Sequence, residues 1–213
     1  EFSVAAQVIR SKNWAWTTVI NGSHVKDRIN RISTTLKNTS YQIEEDSPLR
    51  LRFREGGSQY DIYAVRSAGI DPATGQEIFI DRNGEYTFRY DADDEVVVGN
   101  TQPKLQGTWL NTLRYKGWSL NLVFSYKFGG DTYNKTLWSK VEDIDPRYNV
   151  DARAFTDRWK RPGDLSRFLA IKEIRPEDSS YSSERFVERL NELWLSSAML
   201  TYEFQAKFLK RIG

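Results

Sequence analysis

The hydrophobic and polar positions of this chain alternate with a period of two in their clearest stretch, which runs from Trp118 to Phe128. Its even positions carry large apolar side chains: Trp118, Leu120, Leu122, Phe124, Tyr126 and Phe128. Its odd positions carry mainly polar residues. Alternation of this length predicts a β-strand with one apolar face, long enough to cross a bilayer at a tilt. Because aromatic residues lie at both ends, we expect the even face to meet lipid and the odd face to meet a polar lumen.

The same pattern predicts three hairpins. The central hairpin joins residues 104–115 to the strand that begins at Trp118, through a tight turn in which Gly117 is the residue best suited to a positive φ. The other two hairpins are expected to pair residues 2–9 with 14–25, and residues 184–190 with 193–204.

Long polar connections separate these hairpins and cover roughly residues 27–97 and 129–183. The first connection contains short extended pieces at residues 77–80 and 85–90, joined by a turn at Asn83 and Gly84. Short turns that alternate with long loops are typical of an outer-membrane barrel, in which the long loops are extracellular. A compact soluble domain rarely holds structureless loops of such length.

Composition narrows the alternatives. The 28% of charged residues and the lack of a long apolar run argue against membrane-spanning helices, whereas barrel strands need only alternating apolar residues. The 14% of aromatic residues suits membrane interfaces, and equally a soluble β-sandwich that stacks on sugars. The absence of cysteine excludes disulfides and thiolate chemistry, and the net charge of +2 gives no reason to expect nucleic acid as a partner.

Several motifs resemble, in their order and spacing, the late barrel region of the SusC/RagA family of TonB-dependent transporters. An Ala-Gly-Ile-Asp-Pro segment leads to a Thr-Gly turn, and further segments follow across nearly the whole chain. The matching segments are residues 55–63, 67–75, 98–104, 115–118, 126–134, 149–154, 157–164, 183–188 and 200–204.

The resemblance implies an all-β fold, a portion of a large antiparallel transmembrane β-barrel of about 22 strands with long extracellular loops. Residues 1–213 would then be a partial barrel domain that lacks the plug, the TonB box and the C-terminal strands. The implied location is the bacterial outer membrane, as a multi-pass protein in contact with outer-membrane lipid. The implied function is import of glycans or peptides, with a SusD-like surface lipoprotein as partner and with energy from the TonB complex, through parts of the protein outside this sequence. A soluble β-sandwich that binds glycans is the alternative, and a glycan hydrolase is a third hypothesis.

Four residues of the second connection are candidates for contact with a ligand or with the lipoprotein lid: Trp138, Tyr148, Arg158 and Trp159. Aromatic faces can stack on a sugar or peptide, and a guanidinium can bind a carboxylate. The competing interpretation is that Trp159 anchors the loop or packs against the lid.

Other polar residues offer little catalytic chemistry. His24 is the sole histidine, which excludes a His-based zinc cluster. The acidic residues 91–95 lack the spacing of an EF-hand, so a solvated acidic loop is expected there. Carboxylates at positions 143, 145, 157 and 164 have no spacing that fixes a hydrolase pair. We therefore predict no metal site, no cofactor and no enzymatic activity.

Overall fold

The structure is a computed structural model that describes residues 1–34, 41–42, 50–144, 147, 149–171 and 182–204. The chain divides into two compact units. The first, called here the sheet unit, comprises Glu1–Lys26, Gln102–Gly130 and Leu190–Gly213. The second, called the loop unit, comprises Asp27–Thr101 and Asp131–Arg189, and so corresponds closely to the two predicted polar connections.

Strands dominate the described residues. In chain order they are β1 (Phe2–Arg10), β2 (Trp14–Ser23), β3 (Tyr41–Gln42), β4 (Arg50–Leu51), β5 (Asp61–Ala64), β6 (Arg66–Ile70), β7 (Glu77–Ile80), β8 (Tyr86–Thr87), β9 (Val96–Asn100), β10 (Leu105–Tyr115), β11 (Trp118–Tyr133) and β12 (Val187–Tyr202). The helical pieces are α1 (Lys135–Leu137), which runs into a π-helical turn (Trp138–Glu142), α2 (Arg153–Thr156), and the 3-10 turns Ala92–Asp94 and Glu184–Phe186. Among the described residues, no helix is long and apolar enough to span a membrane.

The sheet unit is built on a sheet in the order β1-β2-β10-β11-β12. Its first three pairings are antiparallel, with Trp109 of β10 opposite both Ile20 of β2 and Phe124 of β11. Residues directly opposite each other in an antiparallel pair point to the same face. The even positions of β11 therefore share one face with the odd positions of β10 and the even positions of β2, as the alternation predicts.

This face is mainly apolar, with Asn111 and Thr18 as polar exceptions, and has aromatic rings near both ends of the strands. At the end with the tight turns, Trp14 packs on Tyr115 with ring centroids 4.3 Å apart, and Trp118 packs on Tyr202 at 4.6 Å. Towards the other end, the rings of Tyr126 and Phe128 stack at 5.5 Å. The six even-numbered residues predicted to face lipid all belong to this face, which is called here the aromatic face.

The opposite face carries short polar side chains that bond to one another across the strands. Asn21 accepts a hydrogen bond from Ser3 Oγ at 2.7 Å and donates one to Thr108 Oγ1 at 3.3 Å. Thr112 donates to Asn121 Oδ1 at 2.9 Å, one strand further along. Such a face suits water rather than hydrocarbon, because its polar groups lie at the surface of the sheet.

Two predictions about this unit are wrong in detail. The predicted third hairpin does not form, since β12 is one continuous strand through Asn191, whose side chain accepts a hydrogen bond from Gly129 N at 2.9 Å. In the tight turn, the positive φ of 51° falls on Lys116 and not on Gly117. Gly117 is instead required for space, because a Cβ there would lie 2.8 Å from the backbone oxygen of Glu203.

The loop unit has a hydrophobic core of its own, so the two polar connections are not structureless loops. The core residues are Tyr133, Leu137, Trp138, Val141, Ala154, Phe168 and Phe186. The small hairpin predicted at residues 77–90 forms from β7 and β8, with Gly84 at a φ of 87° in its turn. The backbone of Val65 bonds to Ser182 and Glu184, which joins the first connection to the end of the second.

Candidate functional site

The predicted contact residues Trp138, Arg158 and Trp159 are buried in the loop unit, with exposures of 7%, 7% and 6%. Tyr148 lies outside the described residues. Trp138 is part of the core cluster. The structure thus brings Arg158 and Trp159 to one place and puts Trp138 in the adjoining core.

Arg158 holds loop segments together through its guanidinium group. Nε donates to Ala154 O at 2.9 Å and Nη1 donates to Leu169 O at 3.1 Å. Nη2 donates to the carbonyl oxygens of Val141, at 2.5 Å, and Glu142, at 2.7 Å. Because these four carbonyl groups come from three stretches of the second connection, the bonds favour an anchoring role for Arg158 within the site.

Trp159 links the second connection to the first. Its Nε1 donates to Pro72 O at 2.9 Å. Its ring packs on Gly75, where a Cβ would lie only 2.5 Å from Trp159 Cδ2, and the φ of Gly75 is 77°. The Asp-Pro-Ala-Thr-Gly turn is therefore shaped to receive this indole, which agrees with the interpretation of Trp159 as a loop anchor.

A groove of about 730 Å³ opens beside these two anchors. Its lining is Ala73, Thr74, Gln76, Ala154, Phe155, Arg158, Trp159, Lys160, Arg161, Pro162, Ala170 and Ile171. Phe155 and Ile171 are 46% and 38% exposed, so the groove presents apolar surface to solvent. Phe155, Lys160 and Arg161 were not among the predicted contact residues, because nothing in a charged or aromatic residue of a long loop reveals that it will line a concave surface.

A buried ion-pair network stabilises the loop unit next to its core. Arg185 Nη2 lies 2.8 Å from Glu77 Oε2 and 2.7 Å from Glu142 Oε1. The hydroxyl of Ser183 also donates to Glu77. Burial raises the pKa of Glu77, but the Arg185 charge and the hydrogen bonds outweigh burial and hold that pKa below its ordinary value of 4.5. Sequence spacing gave no signal for this network.

The acidic stretch at residues 91–95 is only partly the solvated loop that the sequence suggests. Glu95 is 2% exposed and forms an ion pair with Arg52 at 3.0 Å. It also accepts hydrogen bonds from the hydroxyls of Tyr90 and Ser182. Burial and the Glu95 carboxylate together raise the pKa of Tyr90 to about 12. Within the described parts of the chain, no group of three or more potential metal ligands comes together.

Comparison with known sequences finds relatives of one kind. No protein-family model matches the chain. TonB-dependent receptor P39 of Formosa agariphila is 22% identical over 253 residues, covering 100% of this chain and 24% of that protein. TonB-dependent receptor P3 of the same organism is 25% identical over 158 residues, covering 64% of this chain and 15% of that protein. The chain thus spans a quarter or less of the curated relatives it matches.

Solved structures match the fold over almost the whole chain. A structure of the RagAB peptide transporter aligns with 94% of this chain and 22% of its own, with a TM-score of 0.70 and 18% identity. A structure of the RagAB peptide importer in the closed-closed state aligns with 97% of this chain and 23% of its own, with a TM-score of 0.75 and 19% identity. The predicted resemblance to SusC/RagA-like TonB-dependent transporters is confirmed.

The matches to TonB-dependent receptors and to the RagAB structures confirm two further predictions. The fold is all-β and matches part of a large barrel, and the location is the bacterial outer membrane. The relatives are receptors and transporters, which agrees with the prediction that the chain is not an enzyme.

Proposed function

We propose that this chain forms part of the wall and part of the loops of an outer-membrane importer of glycans or peptides, driven by the TonB complex and working with a SusD-like surface lipoprotein. The observation that supports this most is the two-faced sheet, in a chain whose fold matches the RagAB importer over 97% of its length. That protein is a peptide importer, which favours peptides over glycans as the first substrates to test.

The division of faces supports a barrel wall. The aromatic face carries Trp118 and Phe128 at the two ends of the stretch, with Leu122 between them, as expected for a strand that crosses a bilayer. The opposite face carries Asn21, Thr112 and other polar side chains that a water-filled lumen accommodates. A soluble β-sandwich would instead cover the aromatic face with a second sheet.

The loop unit supports an extracellular contact surface. The tight turns at residues 10–14 and 115–118 join the strands at one end, and both long connections leave from the other ends of the strands. In outer-membrane barrels the long loops are extracellular. We assign the groove beside Arg158 and Trp159 to contact with a ligand or with the lid, and Trp138 to the core that supports it. Tyr148 belongs to the same second connection and stays a candidate.

Surface labelling of the full-length protein in intact cells tests this topology. A cysteine replacing Lys160, in cells whose lid lipoprotein has been deleted, should react with a membrane-impermeant maleimide. A cysteine replacing Lys116 in the tight turn should react only after the outer membrane is permeabilised. The reverse pattern, with Lys160→Cys protected in intact cells, would contradict the proposed orientation. Uptake of labelled peptides that stops when TonB is deleted is the expected functional result.

A further inference from the structure

The groove beside Trp159 has a charge of one sign. Its described lining residues include the cations Arg158, Lys160 and Arg161, and no described lining residue is Asp or Glu. Arg158 is internally bonded, so the charge offered to a ligand comes from the exposed side chains of Lys160 and Arg161. Among the described residues, Asp164 is the one carboxylate within ion-pair distance of either cation, with Oδ1 3.6 Å from Arg161 Nε. Asp157 lines an adjoining pocket with both cations but forms no ion pair with them.

Asp164 offsets only part of this positive charge. Its other oxygen accepts backbone hydrogen bonds from Lys160 N at 3.2 Å and Arg161 N at 3.0 Å, which fixes it to the backbone of the turn. The Arg161 side chain remains 85% exposed. Among the described residues, no carboxylate is paired with the Lys160 ammonium group. A ligand with a carboxylate would therefore find two accessible cations at this site.

The remaining lining is mostly apolar, with Thr74 and Gln76 as its polar side chains besides the Trp159 indole. Its apolar members are Ala73, Ala154, Phe155, Pro162, Ala170 and Ile171. The Thr74 hydroxyl already donates to Asp71 Oδ2 at 2.6 Å, and the Trp159 indole is 6% exposed with its N–H bonded to Pro72. Phe155 offers an exposed ring, but a sugar also needs several free donors and acceptors for its hydroxyl groups, in which this lining is poor. An apolar side chain next to a carboxylate matches this lining better.

We propose that this groove binds acidic peptide segments, with an apolar side chain against Phe155 and Ile171 and a neighbouring carboxylate at Lys160 and Arg161. The inference rests on the proposed importer function, because it names the substrate class for a contact surface of that importer. The proposed ligand is a peptide and not an acidic glycan, because an acidic glycan would match only the positive charge of the groove.

Peptide binding to the purified full-length protein in detergent tests this assignment. The probe is a fluorescein-labelled hexapeptide of alternating leucine and glutamate, compared with the same peptide carrying glutamine for glutamate or serine for leucine. The Leu-Glu peptide should bind with the lowest Kd. The double variant Lys160→Gln/Arg161→Gln should raise that Kd about fivefold, the size expected for losing two exposed charge pairs, and leave the Leu-Gln peptide unchanged. Raising the salt concentration should weaken binding to the wild type more than to this variant.

The matched control is Arg82→Gln/Arg89→Gln, which removes two exposed cations of the loop unit that do not line the groove. It should leave the Kd unchanged. Equal losses in both double variants would overturn the assignment to the groove. Tighter binding of trigalacturonate would overturn the peptide class, and equal binding of the Ser-Glu peptide would overturn the apolar contact with Phe155 and Ile171. Loss of TonB-dependent uptake in cells is read separately: if uptake fails while the binding pattern holds, the importer proposal fails and the groove assignment stands.

Discussion

Arg185 and Glu77 lie 108 positions apart in the chain and meet in the loop unit, with Arg185 Nη2 2.8 Å from Glu77 Oε2. The same nitrogen bonds to Glu142, so one guanidinium joins a strand of the first connection to the π-helical turn of the second. Both carboxylate side chains are about 1% exposed. Removing one partner of a buried ion pair leaves an uncompensated charge, which costs far more than an exposed pair is worth.

The first prediction concerns this network. Arg185→Leu should lower the free energy of unfolding of the loop unit by roughly 3–5 kcal/mol, because it leaves two buried carboxylates without their cation. Urea titration with limited proteolysis of the full-length protein measures the loss. Arg153→Leu breaks an exposed ion pair with Asp151 and should change the midpoint little. Similar midpoints for the two variants would show that the Arg185 network does not stabilise the unit.

The second prediction is a pH dependence. The pKa of Glu77 in the folded chain is below 4.5, its ordinary value, so the unfolded state binds the proton more readily. The stabilisation by Glu77 is therefore complete above about pH 5 and is lost as the pH falls through the folded pKa. The difference in unfolding free energy between wild type and Glu77→Gln should accordingly shrink between pH 5 and strongly acidic solution. A difference that stays constant over this range would contradict the ionised, paired state of Glu77.

The third prediction concerns a polar pair on the aromatic face. Trp16 Nε1 donates to Asn111 Oδ1 at 3.1 Å, and Asn111 is only 6% exposed. Trp16→Phe removes the donor and leaves a buried amide oxygen unsatisfied, which should cost about 1–3 kcal/mol of folding free energy in bilayers. Adding Asn111→Leu should recover most of this loss. Trp14→Phe, at a ring that packs on Tyr115, is the control and should cost less.

The fourth prediction uses two glycines with similar positive φ angles. Gly75 has a φ of 77° and would place a Cβ 2.5 Å from Trp159, whereas Gly84 has a φ of 87° and nothing within 4 Å. Alanine at either position costs about 1–2 kcal/mol for the left-handed conformation. Gly75→Ala should cost more, because it also displaces the Trp159 anchor. Equal losses in unfolding free energy would show that Trp159 is not held against this turn.

The sequence predicted the strands of the sheet unit well because their signal is local. The period of two from Trp118 to Phe128 reports directly which side chains share a face, and the register of β10 and β11 bears it out. The extent of β12 was predicted wrongly, since the polar residues around Asn191 suggest a turn, whereas pairing with the long strand β11 keeps the chain extended.

The loop unit could not be predicted in the same way because its structure depends on contacts distant in sequence. Contact of Arg158 and Trp159 with a ligand or the lid stays a prediction. What the structure adds is that their side chains are anchored by carbonyl groups of Val141 and Pro72, which no periodic pattern reveals. The cationic groove depends on the turn of the first connection meeting residues 154–162 of the second. Such a meeting is visible only once the chain is folded.

Lipid contact along β11 is the most direct test of the barrel account. In the full-length protein, spin labels on single cysteines at positions 120, 122 and 124 should be relaxed by lipid-borne probes and shielded from aqueous reagents. Labels at positions 119, 121 and 125 should show the opposite behaviour, because a strand turns alternate side chains to opposite faces. We expect the strongest lipid effect near Leu122. Lipid contact at the odd positions, or at neither set, would contradict the assignment of the aromatic face to the membrane.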